Sequence, residues 1–302
     1  MGFLDLDGGL GRRFGSLGFT LEQPGTRIDA QIAPRLRVEG AQADRVERYL
    51  RRAAQHFGVP ATGYFVVREA VEPHIGLGSG TQLGMASAAA LCALTGIAAE
   101  PVELARATGR GLRSGVGIAG FSKGGFLVDG GHRGDTVAPT ISRLEIPPQW
   151  SVLLLFDDSH TGLHGEAEVQ AFRELPPFGA DRAAQLCRVT LMQLLPALAE
   201  ADLFQFGAAM TFIQNEVGDH FAPAQGGRFA SPRIAAVIDW LRGQGVSCCG
   251  QSSWGPTGFA VLPDEAAGRA LAEAVRDRFG AQAVRPALTR GRNRGADIEP
   301  RI

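Results

Sequence analysis

The strongest chemical signal in the chain is a glycine-rich turn that runs straight into an uncharged segment. Gly76-Leu77-Gly78-Ser79-Gly80-Thr81-Gln82 leads into an alanine-rich stretch, and no charged side chain lies between His74 and Leu94. Glycine reaches positive φ without steric cost and lets backbone come close to a ligand. The first turn of a helix leaves N–H groups unpaired at the positive end of its dipole. Together these suit an anion, most naturally a phosphate. The plainer alternative is a glycine turn that only caps a buried helix. The turn is not a Walker A loop, because that needs Gly-Lys-Ser/Thr and the chain has no Gly-Lys pair.

Other polar residues stand at points where a ligand could reach them. Arg113 and Lys123 flank a run of small residues, Ser114 to Ser122, and Lys123 is the single lysine among 30 basic residues. Either a compact ammonium matters there or the lone lysine is an accident of composition. Asp129 sits in Gly124–Gly131, GGFLVDGG, where it faces a ligand or makes a turn hydrogen bond. His160, His164 and Glu166 follow the apolar run Trp150–Asp157; they bind a metal or cap the next helix. Trp254, next to Gly255-Pro256, stacks on an aromatic ligand or packs as a core indole.

The elements that must position these residues read as two lobes. FLDL, GFTLE, TRIDAQIA and RLRVEG are short strands separated by glycine turns. Ala41 to Phe57 has helical apolar spacing, with Val46, Leu50, Ala53 and Ala54 on one face. GYFVVREA is a strand, and Pro101 to Gly109 a helix with proline in its first turn and glycine at its end. Ile146-Pro147-Pro148 breaks the pattern and divides the chain into 1–147 and 148–302. Beyond it come a buried strand, helices over Asp181–Glu200, Ala201–Val217 and Ser231–Arg242, a GVSCCGQSS/TGFAVL strand pair, a helix over Asp264–Phe279 and a last strand. From Thr289 the arginine-rich tail reads as frayed. The fold class is α+β, strands on one side of each lobe and helices on the other.

Composition excludes several functions. A net charge of −1 over 302 residues gives no basic surface for nucleic acid. No apolar run is long enough to span a bilayer, no signal peptide is evident, and the four cysteines form no CxxC pair or zinc spacing. The expected setting is cytoplasmic, with reduced thiols.

With these blocks in place the chain resembles the GHMP kinase superfamily. Pro73-His74-Ile75-Gly76-Leu77-Gly78-Ser79-Gly80-Thr81 is similar to its Pro-x3-Gly-Leu-Gly-Ser-Ser-Ala motif, and Gly250–Val261 to its C-terminal glycine-rich hairpin. Arg113-Ser114-Gly115-Val116-Gly117, Gly124–Gly131 and Ser253-Trp254-Gly255-Pro256 narrow the resemblance to the β-ribofuranosylaminobenzene 5′-phosphate synthase family. The resemblance implies a two-lobed GHMP-kinase-like fold, with a ribosomal-protein-S5-like first lobe and a ferredoxin-like second lobe. It implies condensation of 4-aminobenzoate with phosphoribosyl pyrophosphate, with loss of CO2 and pyrophosphate, in tetrahydromethanopterin biosynthesis. Mg2+ is the implied cofactor, and many relatives are dimers.

Carried onto this sequence, the resemblance gives phosphate binding to Gly76 through Gln82 and metal contact to Ser79 and Thr81. It gives catalytic duties to Arg113, Ser114, Lys123 and Asp129. Substrate contact falls to Asp5, His160, His164, Ser252, Ser253, Trp254 and Gly255. Two departures stand out. Kinases of the mevalonate type carry Ser-Gly-Ile-Asp, whose aspartate is the base; the matching Gly117 has no side chain to take a proton. The family also opens with a strand like Ala-Arg-Leu-His before the segment matching Gly2-Phe3-Leu4-Asp5, so Met1 reads as an internal start. The alternatives are an ATP-dependent small-molecule kinase and a non-catalytic ligand-binding protein of the same fold.

Overall fold

The computed structural model describes residues 1–111, 113–162, 165–280 and 282–299. The first half contains β1 (Gly2–Asp5), β2 (Phe14–Phe19), β3 (Arg27–Gln31), β4 (Leu36–Gly40), α1 (Ala43–Phe57), β5 (Gly63–Glu69), α2 (Ser79–Thr95), α3 (Pro101–Ala107), α4 (Val116–Lys123), β6 (Phe126–Asp129) and β7 (Thr140–Leu144). The second contains β8 (Ser151–Phe156), α5 (Gly165–Glu174), α6 (Ala180–Val189), α7 (Leu195–Ala199), α8 (Leu203–Gln225), α9 (Pro232–Gly243), β9 (Cys248–Gln251), β10 (Gly258–Leu262), α10 (Glu265–Phe279) and β11 (Arg285–Arg290).

Three sheets result. Antiparallel β1-β2-β6-β7 and the three-stranded β3-β5-β4, in which β4 runs parallel to β5, belong to the first half. Antiparallel β11-β8-β10-β9 belongs to the second. Successive side chains of a strand point to opposite faces, and β8 uses both. Val152 and Leu154 enter a core shared with α8, whereas Leu153 and Leu155 pack against α9 and α10. The shared core joins Leu17 and Phe126 from the first sheet to Trp150 and Phe206 beyond Pro147-Pro148, so the two halves share their largest apolar cluster. α2 carries no charge and is buried along most of its length, with α1, α3 and β5 packed around it. A helix apolar on all sides belongs in an interior.

Three expectations are corrected and one element is added. β2 begins at Phe14 rather than at Gly18, because it pairs along β1 while its glycines hide the strand pattern. Within the run of small residues, Val116–Lys123 is a helix, which packing against α2 and β2 supports despite weak propensity. The helix over Asp181–Glu200 is broken by a π-helical turn at Thr190–Leu194, just ahead of Pro196. The described part of the tail is not frayed. Arg292 N–H donates to Thr20 O (2.8 Å), Gly125 N–H to Arg292 O (2.7 Å) and Ala296 N–H to Phe121 O (2.7 Å). The Asn293 amide brackets Ile146, accepting from its N–H and donating to its carbonyl, both at 2.8 Å.

Candidate active site

The glycine turn is held by the second half of the chain. Ser252 Oγ donates to Gly76 O (2.7 Å) and Thr257 Oγ1 to Ile75 O (2.6 Å), so the β9–β10 loop clamps the turn from behind. Gly76 and Gly78 both have left-handed φ, +83° and +67°, for different reasons. A Cβ on Gly76 would fall on the Ser252 carbonyl oxygen, whereas a Cβ on Gly78 meets nothing within 4 Å. Gly78 starts α2: the N–H groups of Thr81 and Gln82 both reach back to its carbonyl, at 3.0 and 3.3 Å. The preceding N–H groups of Ser79 and Gly80 have no carbonyl within the helix to bond. Gly78 lines a cavity of about 1450 Å³ between the two halves.

A second helix start meets the first. Gln82 Nε2 donates to Gly117 O (2.8 Å), and a Cβ on Gly117 would stand 3.0 Å from the Thr81 methyl. The start of α4 is fixed by Asp129, which is 1% exposed. One carboxylate oxygen accepts from Ser16 N–H and Gly131 N–H, both at 3.0 Å. The other accepts from Gly115 N–H (2.8 Å) and Ser114 Oγ (3.2 Å). Ser114 Oγ in turn accepts from Val116 N–H at 3.2 Å.

The structure thus brings Gly76, Leu77, Gly78, Thr81, Gln82 and Ser114 to one wall, with Ser252, Ser253 and Trp254 beside them. It does not bring the rest. Asp129 lies behind the wall with all its contacts made inside the fold, so it positions Ser114 and does not face a ligand. Lys123 is exposed at the end of α4 and off the cavity lining, although Gly120 and Phe121 of the same turn lie on it. Ser79 is buried, and Gly80 turns its Cα toward the Arg110 guanidinium, about 3.1 Å from where a Cβ would be; neither lines the cavity. Half-buried Arg113 and His160 lie off its lining, as does Gly255, packed on the Gln251 side chain. Asp5 closes β1 and accepts from Gly8 N–H (2.9 Å) instead of reaching the cavity. His164 falls outside the described residues.

Sequence reasoning missed Ser16, Gln214 and the arginines of the wall. Gln214 Oε1 accepts from Gln251 N–H (2.7 Å), and an aromatic patch of Phe221 and Trp254, centroids 4.3 Å apart, adjoins them. Arg228 is bound to Asp219 at 2.6 and 2.9 Å, which raises its pKa further, and Arg292 to Glu22 at 2.8 Å. These two cations are already engaged, whereas Arg27, also on the lining, stands 3.7 Å from Asp29; the helix starts add further positive ends toward an anion. No signal of spacing marks Ser16 or Gln214; only the closing of the halves puts them on one cavity.

Among the described residues no three His, Cys, Asp or Glu side chains are grouped to hold an ion. Of Ser79 and Thr81 only Thr81 lines the cavity; Mg2+ is commonly held by one or two carboxylates together with substrate phosphates and water.

Comparison with known proteins decides the family. The "GHMP kinases N terminal domain" family matches residues 44–125 and "GHMP kinases C terminal" residues 194–281. A beta-ribofuranosylphenol 5'-phosphate synthase of Archaeoglobus fulgidus is 34% identical over 314 residues, 98% of this chain and 95% of its own. The chain belongs to this synthase family. The synthase of the same name from Methanothermobacter thermautotrophicus is 32% identical over 316 residues, covering 97% of this chain and 94% of its own. A homoserine kinase from Cytophaga hutchinsonii superposes with a TM-score of 0.68 at 18% identity, over 92% of this chain and 90% of that one, which shows the shared GHMP fold. The chain is therefore an enzyme of the synthase family built on the two-lobed fold the motifs implied. No helix of the described residues is long and apolar enough to cross a membrane.

Proposed function

We propose that this enzyme joins C1 of phosphoribosyl pyrophosphate to the ring of a benzoate bearing a para electron donor, releasing CO2 and pyrophosphate. The observation that carries this reading is the meeting of two helix starts on one cavity at a glycine turn whose Gly78 is open. The positive end of α2, which opens on the cavity at Gly78 and Thr81, attracts the pyrophosphate and neutralises charge as the C1–O bond breaks. The ring carbon that bears the carboxylate then attacks C1, and loss of CO2 returns the bonding electrons to the ring. The aryl group is placed against the Trp254 and Phe221 side of the cavity, which fixes ring and sugar in contact. Magnesium enters as the counter-ion of the pyrophosphate, part of the substrate.

The para substituent is amino in the reading from the motifs and hydroxyl in the printed names of the relatives. Both donate electrons to the attacking carbon. Incubation with phosphoribosyl pyrophosphate, Mg2+ and either 4-aminobenzoate or 4-hydroxybenzoate, with CO2 and pyrophosphate measured together, tests the proposal. Equimolar release with one acid supports it and names the acid. Release with neither defeats it.

Kinase chemistry is disfavoured by more than a missing aspartate. The place of its Cβ at position 117 is crowded by the Thr81 methyl, and Gln82 holds the carbonyl there. Acceptor-dependent conversion of ATP to ADP would reverse this preference.

A further inference from the structure

Ser16 is 5% exposed and lines the cavity, yet its hydroxyl has no hydrogen-bond partner among the described residues. Its backbone N–H shares the Asp129 carboxylate with the start of α4. Residues two apart on a strand share a face, and a Cβ on Gly18 would fall on the Val116 side chain. The Ser16 hydroxyl therefore stands on the face of β2 turned toward the first turn of α4. Ser114, Val116 and Gly117 of that turn line the same cavity. A buried hydroxyl without a partner costs stability that alanine at this position would not.

The charge behind this wall narrows what can bind there. Asp129 is an anion one hydrogen bond behind Ser114, so a second phosphate at this point is opposed. Neutral hydroxyls are not opposed, and positive charge is favoured. Ser114 Oγ donates to Asp129, which leaves it an acceptor toward the cavity; Ser16 Oγ is able to donate or accept. The place is also next to the pyrophosphate position, because Thr81 and Gln82 of α2 touch Gly117. In a ribosyl pyrophosphate the hydroxyl next to C1 is the neighbour of the leaving group.

We propose that Ser16 and Ser114 form a subsite for the ribose diol, and that Ser16 selects ribosyl over 2-deoxyribosyl substrates. Asp129 acts through Ser114, as a positioning residue, and its field favours the positive charge that grows on C1. This subsite rests on the proposed use of a ribosyl pyrophosphate. A site built to bond a hydroxyl rejects the analogue that lacks it, because its own polar group is then left unpaired.

The test is calorimetric binding of ribose 5-phosphate, 2-deoxyribose 5-phosphate and inorganic pyrophosphate to wild type and Ser16→Ala, with urea unfolding of each unliganded protein. Wild type should prefer the ribose compound by about tenfold or more, the size set by one bond to a buried hydroxyl. Ser16→Ala should lose that preference, bind pyrophosphate normally and be at least as stable as wild type. Equal preference in both proteins overturns the subsite, and so does a Ser16→Ala protein that unfolds more easily. Wild type that binds pyrophosphate but neither sugar phosphate overturns it too. Failure of wild type to bind pyrophosphate or turn over phosphoribosyl pyrophosphate instead strikes the proposed function itself.

Discussion

Gly76 and Gly78 form a matched pair for testing the phosphate turn, since both adopt left-handed φ and only one is open. Gly78→Ala adds a methyl with no atom within 4 Å of it. Its folding cost is the left-handed conformation alone, about 1–2 kcal/mol, less the roughly 0.4–1 kcal/mol that alanine gains through a stiffer unfolded chain. The net is about 1 kcal/mol. The methyl stands at the start of α2, where Gly78 lines the cavity and the proposed function puts the pyrophosphate. Losing one charge-assisted bond there, worth about 1.5–3 kcal/mol, weakens pyrophosphate binding roughly 10- to 150-fold. Gly76→Ala meets the same conformational cost and also drives a Cβ into the Ser252 carbonyl. Overpacking adds about 1–3 kcal/mol, and displacing the Ser252 Oγ bond to Gly76 O removes about 1 kcal/mol more. Its folding penalty is therefore about 3–5 kcal/mol. Urea unfolding measures the first quantity and titration calorimetry with magnesium pyrophosphate the second. Gly78→Ala with wild-type affinity for pyrophosphate would refute the assignment of the turn. Gly76→Ala as stable as Gly78→Ala would refute the clamp.

Three further outcomes are expected. Asp129→Asn turns an amide N–H2 toward the Gly115 N–H, costs about 2–4 kcal/mol in urea unfolding, and lowers turnover because α4 loses its anchor; unchanged stability counts against the network. Asp157 is 4% exposed. Burial alone would raise its pKa, but bonds from Ser159 and Ser231 and the Arg233 guanidinium outweigh this and hold it below 3.8. The folded-state pKa is depressed, so its contribution is full above the unfolded value and is lost as pH falls through the folded one. The stability gap between wild type and Asp157→Asn should thus be widest near neutral pH and close in acid, and a gap independent of pH contradicts this. Lys123→Arg should leave turnover unchanged and stability within about 0.5 kcal/mol, since Lys123 is exposed and off the cavity; a fall in turnover would return the lysine to the site.

The glycine turn and its uncharged helix were legible because both are local. Glycine at 76 and 78 marks left-handed backbone, and an uncharged run of this length belongs inside a fold. The hairpin motif was equally local: β9 and β10 pair as read, Gly258 opposite Gln251. Gly117 in place of aspartate was visible as an absence of chemistry, and the structure added that Thr81 crowds the position. Asp129 was visible as a polar residue among glycines. Its direction was not, because that depends on which of β2 and the α4 start stand against β6.

By itself the sequence determined the local geometry: where φ turns positive, which helix carries no charge, and which motifs place the chain among the GHMP proteins. Only the tertiary structure decided which polar groups line the cavity. Lys123 and Asp5 lie off the cavity lining, and Ser16, Gln214 and Arg228 lie on it, through contacts between segments far apart in the chain. Local spacing encodes dihedral preference and burial, which act over a few residues. A cavity wall is set by the packing of separate elements, and neighbours in space leave no period along the chain. The tail shows the same division. Read alone, its arginines and glycines lack any apolar face; folded, its backbone bonds to Thr20, Phe121 and Gly125 and ties the two halves together.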